Sequence, residues 1–223
     1  MKDRQQLQVK TNGKPSTTSL PASPASETPD PRQLLALAIA LGATDAVLLP
    51  TEALEVEDRY AAMCAAPHRC PSYGLAPGCP PHAPLPADFR AKLAGFCLVA
   101  VFKIDVLAAD LLNENRLDAA RSIHRIAAHL ELAAPRFGFG RACGMAAGSC
   151  KELFCADAAT CAMLDGSFPC RHPDLARPSI SAVGIDFAAL ANRAGWPFAR
   201  IDTDAANDTS PAMGLMAGLV LLA

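Results

Sequence analysis

The chain has 223 residues, of which 51% are hydrophobic and 19% are charged, and this composition can bury one sizeable core. The net charge is −2 and aromatic residues make up 5%, so neither a basic surface nor a set of stacking platforms for nucleic acid is indicated. The sequence has no apolar leader, and its longest apolar run is shorter than the about 20 residues that cross a bilayer. We therefore expect a cytoplasmic protein whose partners include neither nucleic acid nor membrane.

The start of the chain differs in composition from the rest. Residues 1–30 are rich in Ser, Thr, Pro and charged residues, with too few apolar side chains to pack. They predict a disordered segment ahead of one cysteine-rich domain, residues 31–223. Within that domain, residues 30–42 predict a helix with Asp30 as its N-cap and Pro31 at the first position, and a short strand is predicted over 45–50.

The middle of the chain holds the clearest periodic segments. Residues 96–106 are rich in Val, Phe and Ile and predict a strand. The stretch 113–138 carries apolar residues at i, i+3, i+4 and i+7, which predicts a long helix that stops at Pro135 and Gly138. The other predicted elements are a helix over 88–95, a helical turn capped by Ser179, a helix over 186–195, and strands over 198–202 and 213–223.

This alternation of strands and helices indicates the fold class. It predicts an α/β or α+β fold with a single domain, in which a mixed β-sheet is flanked by helices and carries two cysteine-rich metal-binding loops. Nine cysteines need an explanation in such a chain. A reducing compartment disfavours structural disulfides, so a dense set of cysteines there indicates metal binding or catalysis.

The second group of cysteines has enough thiols for a complete site. Cys150, Cys155, Cys161 and Cys170 share one glycine-containing segment, and four thiolates can bind a tetrahedral ion or a cubane iron–sulfur cluster. Just before them, GFGRACGMAAGSC (residues 138–150) is rich in small residues. These can bring backbone amides close to a cluster, or they can let a strand pack tightly against the long helix. Cys143 can be either a ligand or part of the core.

The first group has three cysteines in a stiff loop. Cys64, Cys70 and Cys79 are the candidate ligands, and CPSYGLAPGCPPH (residues 70–82) is so rich in proline and glycine that it predicts a loop. The prolines hold the thiols in place before a metal arrives, which lowers the ordering cost of binding. His68 and His82 are candidates to complete this set. Cys97 lies in the predicted strand, and we expect it to pack in the core. The alternative is that Cys97 completes the first set, if its strand begins beside the loop.

These motifs together resemble a known family. A "YG" and a "CPP" (Tyr73-Gly74 and Cys79-Pro80-Pro81) are followed by a strand, a long helix, a "GxC" ending at Cys150, and the run CRHPDLARPS from Cys170 to Ser179. The pattern is similar to a bacterial and archaeal family of predicted metal-binding proteins, a domain of unknown function, from about residue 40 onward. The resemblance implies metal binding, and the cysteine density suggests iron and sulfur. The gaps after Cys150 are wider here than the C-x2-C spacing typical of the family.

Three functions are compatible with these residues. The first is an iron–sulfur protein with one or two clusters, of 4Fe-4S type, that serves in electron transfer or as an accessory protein for another metalloenzyme. The second is a structural zinc protein or metal carrier without redox activity, since four thiolates suit zinc equally well. The third is a thiol enzyme that uses Cys79 with His82 or Cys170 with His172. Of these, the iron–sulfur protein is favoured, and its partner is expected to be a redox protein or metalloenzyme.

Overall fold

A four-stranded sheet forms the centre of the molecule. The coordinates are a computed structural model that describes residues 29–65, 69–167, 169–198 and 212–223. The strands are β1 (Asp45–Pro50), β2 (Leu98–Leu107), β3 (Ala142–Met145) and β4 (Met213–Leu222), in the spatial order β1-β2-β4-β3. The predicted fold class and single domain are confirmed. The sheet was expected to be mixed, but each neighbouring pair is antiparallel. The reason is that β4 lies between β2 and β3, which run in the same direction, and pairs with both in the opposite direction.

The helices lie on both faces of this sheet. They are α1 (Pro31–Ala40), α2 (Asp58–Ala62), α3 (Pro86–Leu93), α4 (Ala108–Leu111), α5 (Arg116–Ala133), α6 (Cys150–Phe154), α7 (Ala162–Asp165) and α8 (Phe187–Arg193). Short 3-10 helices cover Thr51–Ala53, Ala134–Phe137 and Ser181–Val183. In the part of the chain that the structure describes, no helix is both long and apolar enough to span a membrane.

The caps that the sequence predicts are present in the helices. The Asp30 side chain accepts a hydrogen bond from the Arg32 amide at the start of α1, and Asp186 accepts one from the Ala189 amide at the start of α8. The 3-10 turn after α5 ends at Gly138, which has a φ of +89°. Glycine adopts this left-handed conformation without the steric strain that a side chain would cause. These capping bonds satisfy donors that have no partner inside the helix, so local sequence was sufficient to predict both starts.

Two hydrophobic cores cover the two faces of the sheet. On one face, Phe102 and Val220 pack with α1 and α5, whose Ile123 and Ile126 are fully buried. On the other face, alternate strand residues pack with α3, α8 and Trp196. Both faces of β2 and β4 are therefore covered, which explains why these strands read as nearly continuous apolar runs.

Some predicted elements have a different outcome. The predicted helical turn is the 3-10 helix Ser181–Val183, and Ile180 precedes it, so Ser179 is not its cap. Ser179 instead donates its amide to the Gly78 carbonyl (3.3 Å) and forms a bridge with Ala146, because tertiary pairing replaces the local cap. Residues 1–28 of the N-terminal segment and residues 199–202 of the predicted strand lie outside the described residues.

Candidate metal centre

The two cysteine groups occupy two long connections beside the sheet. The first group lies between α2 and α3, and the second lies between β3 and α8. Local structure in both connections consists of turns and very short helices, as the proline and glycine content predicts. The chain is therefore free to place its thiols by loop geometry, and the sheet and α5 provide the rigid support.

One cavity gathers the whole second group. Its volume is about 310 Å³, and Cys150, Cys155, Cys161 and Cys170 all line it. Cys150 begins α6 and Cys155 follows it, while Cys161 precedes α7. Apolar side chains, including Phe154 and Met163, make up most of the remaining wall. The fold thus brings four thiols from separate points of the connection to the wall of one partly open cavity.

Burial disfavours the thiolate form at two cysteines of this cavity. Burial raises the pKa of the Cys150 thiol to about 12, and the sulfur of Cys79 is the next contributor to this rise. Burial also raises the pKa of Cys155, although the nearby Arg171 and Lys151 act in the opposite direction. A metal ion binds thiolates, so metal binding at this site must displace protons from these groups.

Backbone and lysine contacts shape the loop around the cavity. The Lys151 ammonium donates to the carbonyl oxygens of Cys155 and Ala158, both at 2.7 Å. The amide of His172 donates to the Cys170 sulfur at 3.4 Å. Amide donors to sulfur favour the thiolate and tune a bound metal, so the CRHP turn already has the arrangement that a ligand cysteine requires.

A buried histidine supports the cavity from behind. His124 on α5 is fully buried, and its Nε2 bonds the Ala147 carbonyl at 3.1 Å while the Arg177 amide donates to its Nδ1 at 3.1 Å. Its ring meets the Phe154 ring edge-on at 5.4 Å. Burial lowers the pKa of His124 to about 4, so the ring is neutral at physiological pH. This side chain joins α5 to both ends of the second connection and serves as a structural support.

An ion pair continues this support. The Arg177 Nε lies 3.0 Å from the Glu131 carboxylate, and Arg177 is 8% exposed. The same carboxylate accepts the amide of Gly144 on β3. Arg177 also donates to the carbonyls of Pro173 (3.0 Å) and Ala176 (2.7 Å), which fixes the segment after Cys170. A buried pair of this kind is costly to break because it leaves one charge without its partner.

The first cysteine group forms a compact set of turns. Cys79 is buried, Cys64 is half-buried and Cys70 is exposed. The Cys70 amide donates to the Cys64 carbonyl at 3.0 Å, and the Gly74 amide donates to the Pro80 carbonyl at 2.8 Å. Burial raises the pKa of Cys64, and the neighbouring Cys70 and Cys79 add to that rise.

The two groups meet at Cys79. Ser149, which precedes Cys150, is 3% exposed and adjoins the Cys79 thiol, whose pKa is raised by burial and lowered in part by this hydroxyl. The Ser149 Oγ makes no hydrogen bond of normal geometry with any residue that the structure describes. On the same side, the backbone of Gly78 packs so closely that an added Cβ would lie 2.8 Å from the Cα of Pro178.

Other candidate residues lie elsewhere. Cys97 is exposed at the start of β2, beside the Leu222 carbonyl, so the expectation that it packs in the core is wrong. The reason is its position just before the first residue of β2, at the end of an inner strand, where the two hydrophobic cores do not cover it. Cys143 is half-buried in β3, and the Lys92 ammonium lies 3.1 Å from its sulfur. His82 is exposed, and His68 lies outside the described residues.

Among the small residues before Cys150, Gly144 lets β3 pack tightly against the long helix α5, as one of the two interpretations of this segment predicted. An added Cβ at Gly144 would lie 2.9 Å from the Ala127 carbonyl oxygen on α5, so this glycine permits β3 to pack against the helix. Sequence reasoning did not identify Ser149 or Arg177 as parts of the site. Both lie within the motifs, Ser149 in the GxC and Arg177 in the CRHPDLARPS run, but their burial depends on contacts with distant segments.

Within the described ranges, no three His, Cys, Asp or Glu side chains are already grouped to hold one metal ion. Comparison with known families gives one match: a model described as predicted metal-binding protein (DUF2284) matches residues 47–222. Comparison with curated proteins found no match, and comparison with solved structures found none either. The family description is thus the functional finding that these comparisons add to the geometry.

Proposed function

Since the chain belongs to the predicted metal-binding protein family DUF2284, we propose that the bound metal is an iron–sulfur cluster of 4Fe-4S type. Its role is electron transfer, or the reduction or maturation of another metalloenzyme. The observation that carries this proposal is the cavity of about 310 Å³ that Cys150, Cys155, Cys161 and Cys170 line together. Four cysteines are the usual ligand set of such a cluster.

The shape of the site favours a cluster over zinc. A tetrahedral zinc ion needs four sulfur atoms within about 2.3 Å of a single point. A cubane cluster instead binds each thiolate through a different iron atom, so its ligands surround a larger body. Here the four thiols border a cavity with room for several atoms. The second function, a zinc protein or metal carrier, is therefore the alternative, and measuring the zinc, iron and sulfide content of the protein distinguishes the two.

The surroundings also fit an iron–sulfur group. The buried Ser149 hydroxyl adjoins the Cys79 thiol but makes no hydrogen bond of normal geometry among the described residues, and a bound cluster offers sulfur acceptors beside Cys79 and Cys150. The His172 amide already donates to the Cys170 sulfur. Donors of this kind raise the reduction potential of a cluster, which is one way in which a protein sets its redox role. The bound group supplies the electron-transfer chemistry, and these residues hold and tune it.

The proposal extends to the ligand set. Cys150, Cys155, Cys161 and Cys170 form the complete set, and Cys64, Cys70 and Cys79 are further ligands from the first loop.

The test is the anaerobically purified protein. We expect a brown protein with a broad absorption band near 400 nm, as is usual for such clusters, and iron and acid-labile sulfide in equal amounts. A colourless protein with stoichiometric zinc and no sulfide contradicts the proposal and supports the zinc function. The variant Cys170→Ser is expected to lose cluster and thermal stability together, because binding free energy here is also folding free energy. The matched control is Cys97→Ser, which changes an exposed cysteine outside the cavity and is expected to keep both.

A further inference from the structure

The two cysteine groups repeat one spacing. Cys64, Cys70 and Cys79 follow the pattern C-x5-C-x8-C, and Cys155, Cys161 and Cys170 follow the same pattern later in the chain. We call these the first unit (residues 64–79) and the second unit (residues 155–170). In both units a proline follows the last cysteine within three residues. Cys150 stands outside the repeat.

The repeat extends to the backbone. In the first unit the Tyr73 amide donates to the Cys70 carbonyl at 2.9 Å, and in the second unit the Leu164 amide donates to the Cys161 carbonyl at 2.8 Å. Both bonds join the middle cysteine to the residue three positions later. A left-handed glycine then turns the chain toward the last cysteine: φ is +80° at Gly74 and +80° at Gly166. Equal spacing thus produces a similar turn around the middle thiol in each unit.

The units also lie against each other. Pro77 and Gly78, which precede Cys79, form part of the wall of the cavity that the second unit lines. Gly74 shares a second pocket with Cys161. Ser149, which directly precedes Cys150, is buried and adjoins the Cys79 thiol of the first unit.

From these observations we propose that the chain holds two iron–sulfur clusters, one on each unit, placed side by side. The cluster of the second unit takes Cys150 as its fourth thiolate, because this thiol lines the same cavity. The cluster of the first unit binds Cys64, Cys70 and Cys79. The inference rests on the proposed iron–sulfur function and adds a second cluster to it. Electrons can pass between two neighbouring clusters, and Gly78, which directly precedes Cys79, lines the same cavity as Cys150.

The exposure of Cys70 gives electron transfer through this pair of clusters a direction. Cys70 is exposed, although Cys79 of the same unit is buried, whereas the thiols of the second unit are all half-buried. The cluster of the first unit is therefore the one that an outside electron donor or acceptor reaches, and the cluster of the second unit is the inner one.

The experiment begins with the full chain, reconstituted anaerobically with ferrous iron and sulfide and then desalted. We expect twice the iron and sulfide of a single cubane per chain. After reduction with dithionite, the electron paramagnetic resonance spectrum is expected to show the splitting of two neighbouring spins. These measurements need no variant, so they decide the proposal even if a substitution prevents folding.

Two variants then assign the clusters. Cys70→Ser and Cys161→Ser are each expected to lose half of the iron and to abolish the splitting, and Cys97→Ser is the control that keeps both. One cluster per chain in the wild type, or full iron in Cys70→Ser, overturns the two-cluster inference but leaves the proposed function intact. Absence of iron and sulfide from the reconstituted wild type overturns the proposed function as well.

Discussion

His124 allows the support of the cavity to be tested through the pH dependence of stability. Its ring is fully buried, accepts the Arg177 amide at Nδ1 and bonds the Ala147 carbonyl at Nε2. Protonation in the folded state would place a second N–H against the Arg177 amide and a charge near the Arg177 guanidinium. Burial is the main reason why the pKa is lowered from 6.5 to about 4.

The sign and size of the effect follow from this shift. As the pH falls below 6.5, the unfolded chain binds a proton at this histidine while the folded chain does not until about pH 4, so the free energy of unfolding decreases. At about 1.4 kcal/mol per pH unit, the full loss approaches about 3 kcal/mol. Between pH 7 and pH 5 the loss from His124 alone is about 2 kcal/mol.

The assay is urea unfolding at pH 7 and pH 5 for the wild type, for His124→Gln and for His129→Gln. His129 lies on the same helix but is exposed, so it is the matched control. We expect His124→Gln to be less stable at pH 7 and to lose about 2 kcal/mol less than the wild type on going to pH 5. An NMR titration of labelled histidine is expected to show one ring that does not titrate above pH 5. The reasoning is wrong if all three proteins lose equal stability, or if every histidine titrates near pH 6.5.

Three other predictions concern the loops and the N-terminus. Gly78→Ala brings a methyl group against the Pro178 backbone and is expected to lower the free energy of unfolding by about 1–3 kcal/mol. The control Gly140→Ala, at a position with open space around it, is expected to be neutral in thermal unfolding. Equal melting temperatures of the two variants would refute this. Ser149→Ala removes the buried donor beside Cys79 and is expected to lower the reduction potential measured by redox titration, while Ser149→Thr retains it; an unchanged potential in the alanine variant contradicts the role of the hydroxyl. Deletion of residues 1–28 is expected to leave melting and metal content unchanged, and a fall of more than about 4 °C, roughly 1 kcal/mol in a domain of this size, is the contrary result.

Local sequence was sufficient where one segment carries its own signal. The caps at Asp30 and Asp186 and the apolar face of α5 predicted helices that the structure contains, because capping bonds and helical periodicity involve residues within one or two turns. The cysteine motifs together with the ARPS run were also sufficient to predict the family, since ligand types at fixed spacings are a property of the chain itself.

Contacts between distant segments could be learned from the tertiary structure alone. Cys97 looked like a core residue within an apolar run, yet it falls just outside β2 and is exposed. From the sequence, the small side chain of Gly144 could make room either for a metal cluster or for a helix. The structure shows that it makes room for the helix α5. Burial of Ser149 beside Cys79, and of His124 between Ala147 and Arg177, joins residues that are far apart in the chain. Periodicity and propensity describe neighbours along the chain, whereas these contacts depend on how the two long connections fold back against α5 and each other.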